Sequence, residues 1–260
     1  MKKLLALLLC VVMLCSLTAV LADDSDLAYV QEKGVLVVGI TDFEPMDYKK
    51  DGEWIGFDAD LAKAFAASIG VDVEFIEIDW NSKILELNNK NIDCVWNGMT
   101  LTDEVLEAME PSNGYVINAQ VVVIPADKAD AFQSADALAG LIVAVEAGSA
   151  GQATLEELGL DLTVNEVQDQ ATAIMEVAAG TSDAAVIDRQ MAVAMTGEGT
   201  SYANLTFVLP LNEEVYGVGF RKGSDLAALL NDFFAASWAD GSMQALGETY
   251  GIAETLIPQE

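Results

Sequence analysis

The chain contains no histidine. That removes Ser-His-Asp catalysis, zinc sites of the usual kind and the commonest general base at once. Basic residues are scarce: 12 Lys and Arg stand against 42 Asp and Glu, for a net charge of −30. Such a surface repels phosphate backbones and anionic lipid, which excludes nucleic-acid and membrane-surface binding as functions. Only two arginines occur, Arg189 and Arg221. Of the three cysteines, Cys10 and Cys15 lie at the extreme N-terminus, so Cys94 alone remains beyond it and no intramolecular disulfide is expected. Its apolar neighbours make Cys94 a packed small hydrophobe. Neither a P-loop nor a dinucleotide fingerprint is present. No cofactor and no metal are expected.

What is present is apolar. Hydrophobic residues make up 52% of 260, enough for one large core or two modest ones. Residues 1–22 form a targeting segment: Lys2 and Lys3, an apolar middle, then Val20, Leu21 and Ala22 before Asp23. Its length also suits an uncleaved anchor. The continuous run Val35–Ile40 predicts a strand buried on both faces. Residues 58–70 predict an amphipathic helix with Leu61, Phe65 and Ile69 on one face, stopped by Gly70. A strand at 71–78, a short helix at 82–88 and a strand at 92–96 complete a βαβαβ unit.

A second unit follows. It has strands at 120–124, 141–145, 162–167, 184–188 and 205–209, with helices near 153–158, 170–179 and after 188. The stretch 215–220 is expected to be extended. Ser224 is expected to cap a long helix, and a last helix covers 242–250. No repeat or low-complexity linker separates the units, so the chain should cross between two lobes at ordered segments.

Seven motifs in order carry a resemblance. They are Gly39 to Met46, Gly56 to Lys63, Asp79-Trp80, the turn Asn97-Gly98-Met99-Thr100, Val145 to Ser149, Asp183 to Asp188 and Tyr216 to Ser224. Together they resemble the family 3 extracellular solute-binding proteins of amino-acid ABC transporters. The resemblance implies an α/β type II periplasmic-binding fold of two lobes, each a βαβ-based sheet flanked by helices. Lobe 1 comprises 23–117 with a return segment, 213–260, and lobe 2 comprises 118–212. It also implies an extracytoplasmic monomer that hands a polar or cationic amino acid to a membrane permease. Neither Cys10 nor Cys15 follows the small residues of a lipidation site.

Chemistry and the resemblance together nominate the site. Phe43 and Trp80 offer ring faces for apolar or cationic groups. Asn97, Gly98 and Thr100 bring open backbone, an amide and a hydroxyl to a strand exit. Ser149 and Ala150 open a helix whose free N–H groups favour an anion. Asp188 ends an apolar strand, where an unpaired charge is costly and a ligand ammonium would satisfy it. The resemblance aligns Glu44 and Glu146 with pocket-facing positions and Thr41 with a position where relatives often carry an acidic residue, whereas Asp183 reads as structural.

One departure stands out. The family's turn continues Thr-x-Glu-Arg, and the Arg holds the ligand carboxylate; here Thr102-Asp103-Glu104 is followed by Val105. Lys83 is a weak substitute on sequence grounds. Two further readings therefore stay open: an amine or polyamine without a carboxylate, and a dehydratase-like enzyme on the same fold. A sensor that closes on a ligand without transporting it is a fourth.

Overall fold

The computed structural model describes residues 25–260. The targeting segment at 1–22, with Cys10 and Cys15, lies outside the described residues. Among the described residues no helix is long and apolar enough to cross a membrane.

The first sheet has the strand order β4-β1-β5-β14-β6. At its centre β1 (Val35–Ile40) pairs in parallel with β4 (Asp72–Glu77) and with β5 (Cys94–Val95). On the far side β14 (Gly219–Arg221) runs antiparallel to β5 and to β6 (Met109–Pro111). Strand β1 is buried along nearly its whole length because helices cover both faces. Helix α2 (Phe57–Ser68) brings Phe57, Leu61 and Phe65 to one core. There Trp96 meets Phe65 at 6.2 Å and Phe234 at 5.9 Å between ring centroids. Cys94 is fully buried in it, and burial pushes its thiol well up, as expected of a packing residue.

A helix not anticipated from the sequence, α1 (Asp26–Lys33), docks the N-terminal end onto this sheet. Arg221 holds it through Asp26, with Nη2 at 2.9 Å from Oδ1, and Arg221 also donates to the Ile92 carbonyl at 2.8 Å. One of the two arginines is therefore structural. Ser224 caps the long helix α8 (Leu226–Ala239) as expected, its Oγ accepting from Leu226 N at 3.3 Å. Asp225 accepts from Ser25 Oγ and Leu27 N of the α1 start, fixing two helices to each other.

The second sheet has the order β10-β9-β11-β8-β12. Here β9 (Ile142–Glu146) lies between β10 (Thr163–Val167) and β11 (Ala184–Asp188), all parallel, and β8 (Gln120–Pro125) and β12 (Leu205–Pro210) extend it antiparallel. Asp183 accepts from Ile142 N at 3.0 Å, the structural role expected of it. Helix α5 (Ala150–Leu158) follows β9, α6 (Gln170–Ala179) precedes β11 and α7 (Arg189–Met195) follows it. Both parallel strands β9 and β11 thus end, at Glu146 and Asp188, on the edge where doubly wound sheets hold ligands.

The chain passes between the sheets twice, through β7 (Val116–Asn118) and β13 (Glu214–Tyr216). These two strands pair antiparallel, Asn118 opposite Glu214 and Val116 opposite Tyr216. They form the floor between two α/β lobes.

Candidate ligand-binding cleft

A cavity of about 410 Å³ opens between the lobes, within the size range of small-molecule sites. Its first wall comes from the segment after β4 and from the turn after β5. Trp80, 6% exposed, sits in a single 3₁₀ turn that Asp79 caps by accepting from Asn81 N at 3.0 Å. Three residues on, Lys83 begins α3 (Lys83–Asn88), and its ammonium lies 5.2 Å from the Trp80 ring centroid.

The turn Asn97–Thr100 is held from behind. Asn97 donates to Thr41 Oγ1 at 2.8 Å and accepts from Thr41 N at 3.0 Å, which ties β5's exit to that of β1. Gly98 has φ +55°, and a Cβ there would fall 2.6 Å from the Phe43 ring. Its N–H donates to the buried Asp58 at 2.6 Å, and Tyr115 donates to the same carboxylate at 2.7 Å. Thr100 Oγ1 donates across to Glu214 Oε1 at 2.8 Å. Val105, in the first turn of α4 (Asp103–Ala108), also lines the cavity and is 1% exposed.

The second wall is acidic. Asp188 is 4% exposed and receives donors from four neutral side chains. Tyr216 Oη donates at 2.9 Å and Gln120 at 3.1 Å, and Asn118 and Gln170 also donate. Burial first, and Glu214 second, push the Asp188 carboxyl well above the usual carboxylate range. Arg189 next to it is exposed and makes no ion pair among the described residues, so it does not neutralise Asp188. Glu214 accepts from Asn118 at 2.7 Å, Gln120 at 2.9 Å and Asn212 at 2.9 Å. Glu146 is 2% exposed, and its Oε1 has no hydrogen-bond partner among the described residues. Burial, then Asp188 and Asp169, hold its carboxyl well above the ordinary value, with Lys83 pulling the other way.

Ser149 caps α5, its Oγ accepting from Gln152 N at 3.1 Å, so the hydroxyl is already engaged. The N–H groups of Ala150 and Gly151, in the first turn, lack helical acceptors by construction. Outside the two crossings the lobes touch where Gln190 donates to Thr255 Oγ1 at 3.1 Å and, across the mouth of the cavity, at Gly148. Its carbonyl accepts from Lys83 Nζ at 2.9 Å, and a Cβ on Gly148 would fall 2.7 Å from Asn81 Cα.

Eight of the nine candidate residues therefore line one cavity: Trp80, Asn97, Gly98, Thr100, Glu146, Ser149, Ala150 and Asp188. Phe43 does not. It is 2% exposed and packs beneath Gly98 against Tyr216, at 6.3 Å between centroids, because the side-chain-free turn leaves room for a ring below it. Glu44 does not line the cavity either, and Thr41 is occupied by Asn97. Lys83, Gln170 and Glu214 went unselected, although all three line it. For Lys83 a signal existed, since the i, i+3 spacing from Trp80 puts both on one side of a helical turn. Glu214 carried none; it reaches the cavity only because β13 crosses under it.

Known proteins share this architecture. The chain is 28% identical over 232 residues to the L-cystine-binding protein TcyJ of Escherichia coli (strain K12), covering 88% of this chain and 87% of that one. It is 29% identical over 264 residues to the arginine-binding extracellular protein ArtP of Bacillus subtilis (strain 168), covering 98% and 100%. Among solved structures, the ancestral amino acid-binding protein AncCDT-1, described as a precursor of cyclohexadienyl dehydratase, superposes with a TM-score of 0.80 at 30% identity, over 87% of this chain and 99% of that one. Residues 36–253 match the model of the bacterial extracellular solute-binding proteins, family 3, and with the two-lobed fold and its interlobe cavity already in place, the chain belongs to that family.

Proposed function

We propose that the protein is the extracytoplasmic binding subunit of an ABC importer and captures an amino acid carrying positive charge. One observation carries this reading: six carboxylates and a single ammonium line the cavity, and the Glu146 carboxylate is buried with an oxygen that nothing among the described residues partners. An unpaired buried charge is costly, and a cationic ligand group is its natural complement. The ligand's α-ammonium meets Asp188, a second cationic group meets Glu146, and Trp80 covers the apolar part between them. Arginine binding by the relative ArtP agrees with this charge pattern.

The working step is closure. The ligand touches residues of both lobes, so the full contact set exists only when they come together, and β7 and β13 provide the hinge. The lobes correspond to residues 23–117 with 213–260, and to 118–212. The closed monomer then docks on its permease. In this reading the protein binds without chemical turnover.

Isothermal titration against L-arginine, L-lysine and L-ornithine, with L-glutamate and L-aspartate as controls, tests the ligand class. The cationic amino acids should bind and the acidic ones should not; preference for L-glutamate overturns the reading. Small-angle scattering should show a smaller radius of gyration at saturating ligand. The cavity also accommodates a second reading, a decarboxylated amine such as agmatine, because Val105 supplies no charge to its wall.

A further inference from the structure

An α-amino acid carries a carboxylate into a cavity otherwise lined by six carboxylates, and something there has to receive it. The cavity contains one side-chain cation, Lys83. It is 5% exposed, yet it makes no ion pair among the described residues. Its ammonium donates to the Gly148 carbonyl at 2.9 Å and, at a long 3.4 Å, to that of Trp80. An ammonium has three N–H bonds, so one is free. A buried ammonium without a counter-ion is destabilised, and burial accordingly lowers the Lys83 pKa.

The surroundings are arranged for an anion. Gly148, which holds Lys83, lies two residues before α5, and the nine-residue α5 presents the N–H groups of Ala150 and Gly151 at its positive end. Lys83 belongs to the first lobe and α5 to the second. Charge and helix end are therefore brought together only when the lobes meet.

We infer that Lys83 is the residue that clamps the ligand's carboxylate, together with the α5 N-terminus, and so makes the site select amino acids over their decarboxylated amines. This rests on the amino-acid reading of the cleft. Without Lys83 the cavity has no charge to distinguish L-arginine from agmatine except carboxylates that repel the former. Val105 marks a second place on the same wall from which a cation can reach the cavity.

The test is titration calorimetry with L-arginine and agmatine on the full mature chain, on Lys83→Met, and on Lys83→Met/Val105→Arg. The unmodified protein should prefer L-arginine. In Lys83→Met, L-arginine should weaken about 30-fold or more, the lower end of what removing one partner of a buried charge pair costs, while agmatine changes less than about threefold. Adding Val105→Arg should restore part of the preference. Should Lys83→Met fail to fold, as judged by thermal melting, Lys83→Gln takes its place.

Equal weakening of both ligands assigns Lys83 to interlobe contact alone and overturns the proposal. So does L-arginine binding that Lys83→Met leaves unchanged. If the unmodified protein binds agmatine as tightly as L-arginine, the clamp is wrong and the cationic site stands. If it binds neither and prefers L-glutamate, the cationic reading itself fails.

Discussion

Two pairs of carboxylates lie close to the turn Asn97–Thr100, and they differ in what they open onto. Asp47 and Asp58 are both 0% exposed, enclosed in the first lobe behind the turn. Asp188 and Glu214 sit on the floor between the lobes and face the cavity. Burial first and a neighbouring carboxylate second raise the proton affinity of Asp47 and of Asp188, and burial raises that of Asp58. In the enclosed pair only a proton can relieve that repulsion, and Asp58 is pushed up to about 7. In the open pair a ligand's cationic group can do it instead. In the proposed reading the same chemistry serves the fold in one place and recognition in the other, and solvent access decides which.

The sharpest way to break this comparison is to neutralise one member of each pair. Asp188→Asn should abolish most affinity for a cationic amino acid, about 30-fold to several thousand-fold by calorimetry, while the melting temperature holds or rises. A large loss of stability with affinity intact would reverse the two roles. Asp58→Ala should do the opposite. It orphans the Gly98 N–H and the Tyr115 hydroxyl, each costing about 1–3 kcal/mol, so chemical denaturation should show the loss directly.

A third substitution separates closure from charge. Gly148→Ala puts a methyl 2.7 Å from Asn81 Cα at a φ of +72°, so the lobes cannot approach as closely. Ligand affinity should fall by roughly tenfold, within the range typical of couplings between states. Scattering should show less compaction with ligand, and the melting temperature of the empty protein should fall only by the modest cost of the positive φ.

The smallest effects come from pH, where the two pairs have opposite consequences. A carboxyl raised from 3.8 to about 7, as at Asp58, contributes stability that is complete below its unfolded value and lost as pH rises through about 7. The melting temperature of the empty protein should therefore fall by several degrees between about pH 5 and pH 8, and Asp58→Asn should flatten that slope. Affinity for a cationic amino acid should rise over the same interval. Burial pushes the Asp188 and Glu146 carboxyls upward in the empty cavity, and a bound cationic group pulls them back down. Titration in two buffers of different ionisation enthalpy should register proton release.

Much of this arrangement was legible in the residues. The runs Val35–Ile40, Gln170–Ala179 and Ala184–Asp188 coincide with a strand, a helix and a strand, because burial on both faces and a terminating Gly180 leave strong local signals. Strand β5 was read as 92–96 but spans only Cys94–Val95, since the chain turns away directly into the Asn97–Thr100 turn. The cavity's walls were recoverable where a residue's role depends on its own strand end, as for Asp188 and Glu146. They were not where the role depends on a distant crossing. Glu214 gains its place from pairing with Asn118, a contact 96 residues away. Phe43 failed for the converse reason: a ring beside a turn looks the same in sequence whether it lies above the turn or below it.

The position of β14 governs how the molecule is assembled. It inserts between β5 and β6 rather than at an edge, and it arrives only after the whole second lobe has been synthesised. Until Gly219–Arg221 is in place, β5 exposes an unpaired backbone edge and α1 lacks the Arg221 contact that fastens it. An N-terminal fragment ending at residue 212 should thus remain incompletely folded and prone to association. The intact chain can complete its first lobe only when its last segments are present, a long-range closure that slows folding and postpones the interlobe cavity until the whole chain is available.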